Sequence, residues 1–224
     1  MSSSGDDILI RRPKVMFTFG RFNPPTVGHK AMIHNLIAMA EAAGADAYVF
    51  PSKTQDAEKN PLMAGEKVHI LKAMFPDPEV VRIIHPEAKG TTNIGAAVRA
   101  LRAAGYSDPI TMVVGSDRVP DFAGKFGGVE VVSGGVRDMD SDELAGLETV
   151  SASKVRAGAL AGNTNTFRRG MNNSLNTSAK NALMGLIQTR LSVAAAAAGK
   201  KKRGGSRKQS RRRRRSTRRL RINK

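Results

Sequence analysis

Residues 14–29 of this chain read KVMFTFGRFNPPTVGH, and they contain the signals that decide its fold. The apolar run before Gly20 is typical of a β-strand, and the glycine permits a tight exit from it. A Pro-Pro pair then favours an extended loop, and Thr26 is placed to cap a following helix. Thr26 and His29 are three residues apart and should project together from the first helical turn. Free backbone N–H groups at that turn favour an anion, and Gly28 leaves room for a phosphate.

Outward from this stretch, short apolar runs alternate with segments of helical periodicity. Such alternation with short connections is typical of βαβ units, so the sequence predicts an α/β fold with a parallel sheet flanked by helices. Ligands are then expected at the carboxyl ends of the strands. The predicted strands are Lys14–Gly20, Ala45–Pro51, Val80–Ile84, Ile110–Val114 and Val129–Val132, and the predicted helices are Val27–Ala43, Gly65–Met74, Ile94–Ala104, Val155–Leu160 and Ser178–Ala198.

Composition and charge divide the chain into unequal parts. Residues 200–224 hold 15 of the 37 Lys and Arg residues and no acid, which leaves 22 basic and 19 acidic residues in the remainder. We therefore expect a flexible N-terminus at 1–13, one α/β domain at 14–198 and a disordered basic tail at 199–224. The lack of cysteine excludes disulfides and thiolate zinc sites. Since no signal peptide or membrane-spanning stretch is evident, a cytoplasmic protein is expected.

The segment from Gly20 to His29 resembles the (H/T)xGH signature of the nucleotidyltransferase superfamily, with Thr26 at the first position. That superfamily includes nicotinamide mononucleotide (NMN) adenylyltransferases, phosphopantetheine adenylyltransferases and CTP-dependent cytidylyltransferases. The resemblance implies a Rossmann-like sheet, a clamp for a nucleoside triphosphate, and contact between His29 and its α-phosphate. Without the resemblance, the same residues describe an ordinary strand–loop–helix junction.

A second segment, VSASKVR at residues 150–156, resembles the (I/V)S(S/G)TxxR signature of the superfamily. Ser153 replaces the usual threonine there but keeps a hydroxyl. Ser151 is expected to cap a helix, on which Ser153 and Arg156 share a face. A guanidinium can bind two oxygens of the leaving pyrophosphate, which is the role expected for Arg156. The alternative interpretation is a solvated helix start.

Gly115, Ser116 and Asp117 follow the fourth predicted strand and resemble the GSD segment of NMN adenylyltransferases. Glycine would let the backbone approach a ligand, and the two polar side chains would lie at the carboxyl edge of the sheet. A plain turn in which Asp117 caps the next helix explains the same residues equally well.

A fourth segment, KNPLMAGEK at residues 59–67, resembles the NPxxxxER segment of archaeal-type NMN adenylyltransferases. Lys67 stands where those enzymes have arginine. Lys59 and Lys67 are candidates for phosphate contact, although solvated surface lysines are the simpler interpretation. Gly20-Arg21-Phe22 also resembles the GRF opening of the archaeal-type enzymes, whereas Asn23-Pro24 is more similar to the FNP of bacterial ones. This mixture resembles short phage-encoded members of the superfamily.

The resemblance implies attack by an acceptor phosphate on the α-phosphorus of a nucleoside triphosphate, with pyrophosphate leaving. Positioning and charge neutralisation do most of such a transfer. ATP is favoured over CTP and NMN is the favoured acceptor, while Mg²⁺ would be held mainly by phosphates and waters, without a dedicated set of metal-ligating residues. The expected catalytic residues are Thr26, His29 and Arg156, the nucleotide-binding residues are Gly20, Arg21, Phe22, Asn23, Gly28, Ser151 and Ser153, and the substrate-binding residues are Lys59, Asn60, Gly115, Ser116 and Asp117.

The basic tail has its own expected partner. With 15 positive charges and almost no apolar residues, 200–224 should bind nucleic acid or another polyanion, and it lacks the apolar anchors of a membrane-binding segment. A localisation address is a further possibility that the sequence leaves open, as it does the oligomeric state. The alternative for the whole chain is a nucleic-acid-binding protein whose α/β domain has lost catalysis.

Overall fold

A computed structural model of the chain describes residues 14–135 and 151–197, except 89, 108 and 172. Its centre is a five-stranded parallel sheet in the order β3-β2-β1-β4-β5. The strands are β1 (Lys14–Gly20), β2 (Ala45–Pro51), β3 (Arg82–Ile83), β4 (Ile110–Val114) and β5 (Val129–Ser133). The helices are α1 (Val27–Ala42), α2 (Ala64–Met74), α3 (Ile94–Ala103), α4 (Val119–Phe122), α5 (Ala152–Leu160), α6 (Thr164–Gly170) and α7 (177–197).

The sheet buries apolar side chains on both faces, as a parallel sheet between helices must. On one face Val15 and Phe17 of β1 pack with Leu101 of α3. On the other face Val49 of β2 packs with Leu36 of α1, in a cluster that also includes side chains of α2, α5, α6 and α7. Successive strand residues therefore point to opposite layers, and the predicted α/β fold is confirmed.

The strand order reverses beside β1, because β2 follows it on one side and β4 lies on the other. Crevices at such a switch point, outside the carboxyl ends of the strands, are where open α/β sheets bind ligands. The loops after β1 and β4 leave the sheet at this place. The fold thus brings residues from Gly20 onward and from Gly115 onward to the same edge.

The third predicted strand is wrong in extent. Val80 lies in a turn and is 47% exposed, and only Arg82–Ile83 pair with β2. Asp77 causes the late start, because its side chain accepts from Glu79 N–H and its carbonyl from Val81 N–H, which fixes a turn. Of the five residues predicted as this strand, only Arg82 and Ile83 are therefore strand.

The remaining helical predictions hold with small shifts at their ends. The predicted Val155–Leu160 helix is the second part of α5, and the predicted Ser178–Ala198 helix corresponds to α7. The short helices α4 and α6 were not expected. No helix within the described ranges is long and apolar enough to cross a membrane. The expected N-terminus and basic tail lie outside the described residues.

Candidate active site

The loop after β1 folds back on its own strand. Phe22 has a positive φ of 44°, which is unusual for a residue other than glycine, and its ring is fully buried. A β-carbon on Gly20 would lie 2.9 Å from that ring. Gly20 is therefore needed because the Phe22 ring packs against it. This reason differs from the close approach of a ligand, which the sequence indicated. The Phe22 ring also packs beside the His29 ring, and the two ring centroids are 5.0 Å apart.

Thr26 and His29 come together at the start of α1, as predicted. Thr26 is the N-cap residue, and its backbone N–H donates to His29 Nδ1 at 3.1 Å. Because a backbone N–H can only donate, Nδ1 is the acceptor and the neutral ring carries its proton on Nε2. The Thr26 hydroxyl lies 2.8 Å from the same nitrogen. Thr26 thus orients the imidazole and leaves Nε2 as its hydrogen-bond donor.

Gly28 lies in the same helical turn, where α1 presents its first backbone N–H groups. Among the described residues, a β-carbon at Gly28 would have only the Thr26 hydroxyl within 4 Å, at 3.9 Å. No other described residue crowds this turn on the Gly28 side. An anion can approach the N-terminus of α1 there, which fits the predicted role.

Arg156 joins the two signature segments. Its Nη1 donates to Asn23 O at 2.6 Å across 133 residues of sequence, and its Nη2 donates to Ser153 Oγ at 3.2 Å. Ser151 caps α5 as predicted, since its hydroxyl accepts from Lys154 N–H at 3.3 Å. The hydroxyl at position 153 therefore supports the arginine that the signature requires.

Burial, one like charge and one opposite charge all act on Arg156. Partial burial lowers the pKa of its guanidinium, and the like charge of the exposed Arg21 lowers it further, while Asp56 opposes them. Two arginines close enough to repel each other are stabilised by an anion placed near both. The arrangement therefore suits a phosphate group, and nucleotide contact by Arg21 stays a prediction.

Asn23 has a different role from the predicted nucleotide contact. Its side chain is buried and makes two hydrogen bonds with Leu62, donating to its carbonyl at 3.1 Å and accepting from its N–H at 2.9 Å. The side chain is thereby committed to the backbone of the NPLMAGEK segment. Asn23 holds that segment against the loop after β1, and its own carbonyl holds Arg156.

The predicted substrate residues Lys59 and Asn60 lie in a turn closed by Asp56. The Asp56 carboxylate accepts from the backbone N–H of Glu58, Lys59 and Asn60 and from the Asn60 side chain. The Asn60 side chain and these backbone bonds hold the pKa of Asp56 below its ordinary value. Asn60 is thus committed to the turn, whereas the Lys59 side chain is exposed.

Lys67 contradicts the sequence interpretation of a solvated or phosphate-binding lysine. It is fully buried, and its Nζ donates to Ser52 O at 2.9 Å and Thr54 O at 2.6 Å. Burial lowers its pKa to about 8, with Asp56 opposing the shift. Lys67 falls on the inward side of α2 with Val68 and Leu71, so its ammonium turns back to the loop after β2.

The GSD segment follows β4 at the same edge of the sheet. Gly115 precedes a 3-10 turn at Ser116–Arg118, and Asp117 lies exposed within that turn. The alternative in which Asp117 caps the next helix is wrong, since Arg118 occupies the N-cap position of α4. Ser116 N–H donates to Gly135 O at 3.4 Å. Contact between the segment and a substrate stays a prediction.

The donors at this edge suit the triphosphate of a nucleotide. Nε2 of His29, the guanidinium groups of Arg21 and Arg156, and the first turn of α1 all present N–H groups or positive charge. In the part of the chain that the structure describes, no three His, Cys, Asp or Glu side chains form a group that could hold a metal.

The buried role of Lys67 and the contributions of Asp56 and Arg190 were missed from the sequence. Lys67 could have been recognised, because it shares the inward helical face of α2. Asp56 had a weaker signal, an acidic residue followed by polar residues in a turn. Arg190 of α7 contacts Pro61 and Glu66 from more than 120 residues away, and no local pattern predicts such a contact.

Comparisons with known proteins agree with this geometry. A family model described as cytidylyltransferase-like matches residues 17–158. The chain is also similar in structure to Plasmodium falciparum nicotinic acid mononucleotide adenylyltransferase complexed with NaAD, with 12% identity, a TM-score of 0.54, and coverage of 77% of this chain and 98% of that chain. For the same enzyme complexed with APC, the identity is 12% and the TM-score is 0.50, and the match covers 78% of this chain and 98% of that chain. No curated protein sequence matches the chain. The Rossmann-like fold and the superfamily relationship predicted from the sequence are confirmed.

Proposed function

We propose that this chain, which belongs to the cytidylyltransferase-like family, transfers a nucleotidyl group from a nucleoside triphosphate to a phosphorylated acceptor. The single observation that carries the proposal is the convergence of the two signatures. Arg156 donates to Asn23 O in the loop after β1, beside the Thr26–His29 pair at the start of α1. Donors from both ends of the matched segment thus surround the place where a triphosphate would lie.

The reaction follows from these donors. A phosphate oxygen of the acceptor attacks the α-phosphorus, a new P–O bond forms, and the bond from the α-phosphorus to the bridging oxygen breaks with release of pyrophosphate. His29 Nε2–H is oriented by Thr26 to donate to the charge that develops on the α-phosphate. Arg156 binds the departing pyrophosphate, and magnesium supplies neutralisation of the triphosphate charge when bound.

ATP and NMN are the proposed substrates. The GRF opening at residues 20–22 and the NPLMAGEK segment support them, as does the structural likeness to an adenylyltransferase for a pyridine mononucleotide. The family also includes cytidylyl transfer by name, so CTP is the alternative donor. We propose that Lys59 faces the acceptor, because its side chain is exposed on the turn that Asn60 closes.

A catalytically degenerate nucleotide-binding domain attached to a nucleic-acid-binding tail is the second candidate. The observation that favours it is the charge of residues 200–224, which transfer to a small acceptor does not require. Ser153 in place of threonine was the other argument for it. That argument is weaker because the Ser153 hydroxyl still supports Arg156.

One assay separates the candidates. Purified protein is incubated with Mg²⁺, with ATP or CTP, and with NMN, nicotinic acid mononucleotide, phosphopantetheine or a simple phosphorylated alcohol, and pyrophosphate is measured. We expect acceptor-dependent pyrophosphate release with ATP and a pyridine mononucleotide. Release with another pair would keep the nucleotidyl transfer and replace the substrate, whereas no release with any pair would favour the degenerate domain.

A further inference from the structure

The last helix reaches the candidate site through one side chain. Arg190 of α7 donates through Nη1 to Pro61 O at 2.7 Å and to Glu66 Oε2 at 2.6 Å, and through Nη2 to Glu66 Oε1 at 2.8 Å. The Arg190 and Glu66 side chains are 22% and 30% exposed. A forked, partly buried arginine–carboxylate pair is stronger and more directional than an ordinary surface ion pair. Arg190 therefore fixes the backbone at Pro61 and the start of α2 together.

Both partners of Arg190 belong to the segment that carries Lys59. Glu66 Oε2 also accepts from Met63 N–H at 2.8 Å and so closes the first turn of α2. Burial raises the pKa of Glu66, but the hydrogen bonds from Arg190 and Met63 outweigh it and lower the pKa, so the carboxylate stays charged. The two ends of the Pro61–Glu66 stretch are thus held from α7.

A second anchor holds the same segment from the opposite side. Leu62, next to Pro61, is bound through its N–H and carbonyl by Asn23, and Asn23 O accepts from Arg156. A continuous set of hydrogen bonds therefore runs from Arg190 through the Pro61–Leu62 backbone to the arginine of the second signature. The family match ends at residue 158, so the far end of this set lies outside it.

We propose that Arg190 is a positioning residue for the acceptor side of the site, which makes α7 a working part of the transferase. The inference rests on the proposed function. Without Arg190, Asn23 still holds Leu62 and Arg156, so the triphosphate donors keep their places. Pro61 loses its partner and Glu66 loses its countercharge, so Asn60 and Lys59 lose one of two anchors. The acceptor KM should rise more than kcat falls.

Arg168 offers a matched control. It also contacts α7 through a fork, donating from Nε and Nη2 to Asn181 Oδ1 at 3.0 and 2.8 Å, but from α6 and not from the Pro61–Glu66 stretch. Arg168→Gln therefore removes a forked but more exposed contact with α7 at a place away from the Pro61–Glu66 stretch. Arg190→Gln also removes a forked contact of α7 and in addition releases Pro61 and Glu66.

The test combines kinetics with hydrogen exchange of the full chain. For Arg190→Gln we expect an acceptor KM about tenfold above wild type, a kcat within about threefold, and faster amide exchange confined to residues 56–66. Arg190→Lys keeps the charge without the fork and should recover part of the KM. Arg168→Gln should leave both readouts at wild-type values even if its melting temperature falls.

Two results overturn the proposal: an acceptor KM for Arg190→Gln within twofold of wild type, or equal changes in KM and exchange for Arg190→Gln and Arg168→Gln. If the wild-type protein transfers no nucleotide to any acceptor, the proposed function is wrong. The positioning role of Arg190 is then judged from amide exchange alone. Faster exchange of residues 56–66 only in Arg190→Gln then supports the positioning role, and equal exchange in both variants contradicts it.

Discussion

At the scale of single residues, His29 shows how one contact sets a chemical role. Thr26 N–H donates to Nδ1, so the backbone itself selects the tautomer with a proton on Nε2. The sequence predicted that Thr26 and His29 would project together but gave no means of choosing the protonated nitrogen. The choice depends on the extended backbone of Thr26, with φ −121° and ψ 172°, which aims its N–H at the ring.

His29→Ala should reduce turnover on the best acceptor by about 10²-fold or more, since a donor to the transition state is removed. Its stability should fall by about 1 kcal/mol, because the variant also loses the reciprocal cap at the start of α1. Steady-state kinetics and urea unfolding measure the two effects. The exposed His69 on α2 gives the control variant His69→Ala, and turnover of His29→Ala within a few-fold of that control would refute the role.

Lys67 allows a prediction that involves no substrate. Lys67→Met leaves Ser52 O and Thr54 O without their donor, which should cost about 2 kcal/mol at pH 9. Burial lowers the pKa of Lys67 from its ordinary value of 10.5 to about 8, so between these values the unfolded chain binds more protons than the folded one. The contribution of Lys67 to the free energy of unfolding therefore rises as pH increases from 8 to 10.

Urea unfolding of wild type and Lys67→Met at pH 7, 8, 9 and 10 measures this contribution as a difference. The exposed Lys72 on the same helix provides the control Lys72→Met, for which the difference should be small and flat with pH. A wild-type advantage over Lys67→Met that shrinks between pH 8 and 10 would show that the ammonium, and not the neutral amine, is the form that Ser52 and Thr54 stabilise.

At the scale of elements, the sequence predicted best where periodicity and end signals agreed. The strand Lys14–Gly20 and the helix that Thr26 caps were both correct, because glycine, proline and threonine mark their ends directly. The third strand was predicted too long because the turn that Asp77 closes extends to Val81. Ring placement at Phe22 and the contact from Arg190 depend on tertiary packing, so neither could be predicted from local sequence.

Gly20 provides the test of the loop after β1. Gly20→Ala would place a β-carbon 2.9 Å from the Phe22 ring, so the ring must shift and its packing against His29 changes. We expect a loss of about 1–3 kcal/mol in the free energy of unfolding and weaker ATP binding. Gly127→Ala is the control, since a β-carbon there meets no atom of the described residues within 4 Å. Equal ATP affinity in the two variants would mean that Phe22 does not position the site.

At the scale of the whole molecule, charge is unevenly divided: residues 1–199 hold 22 basic and 19 acidic residues, and residues 200–224 hold 15 basic residues and no acid. We expect this segment to bind nucleic acid without sequence preference, because it contains many charges and few groups for reading bases. If all 15 charges engage phosphates, the log–log salt slope on duplex DNA reaches a ceiling of about −13, and partial engagement gives a smaller slope.

Truncation after Gly199 tests the division between body and tail. The shortened chain should lose duplex binding in a salt titration and keep both its melting temperature and its ATP affinity. Duplex binding by the shortened chain that equals the full chain at the same salt would assign the interaction to the body. A large fall in melting temperature would instead make the tail part of the folded structure.

The most direct test of nucleotidyl transfer follows the α-phosphate itself. ATP labelled at the α-phosphorus, or separately at the γ-phosphorus, is incubated with Mg²⁺ and a pyridine mononucleotide in the presence of wild type or His29→Ala. The account predicts that wild type moves the α-label into a dinucleotide product and the γ-label into pyrophosphate, and that His29→Ala does so about 10²-fold more slowly. Release of the γ-label as inorganic phosphate, with the α-label remaining in ADP, would contradict it.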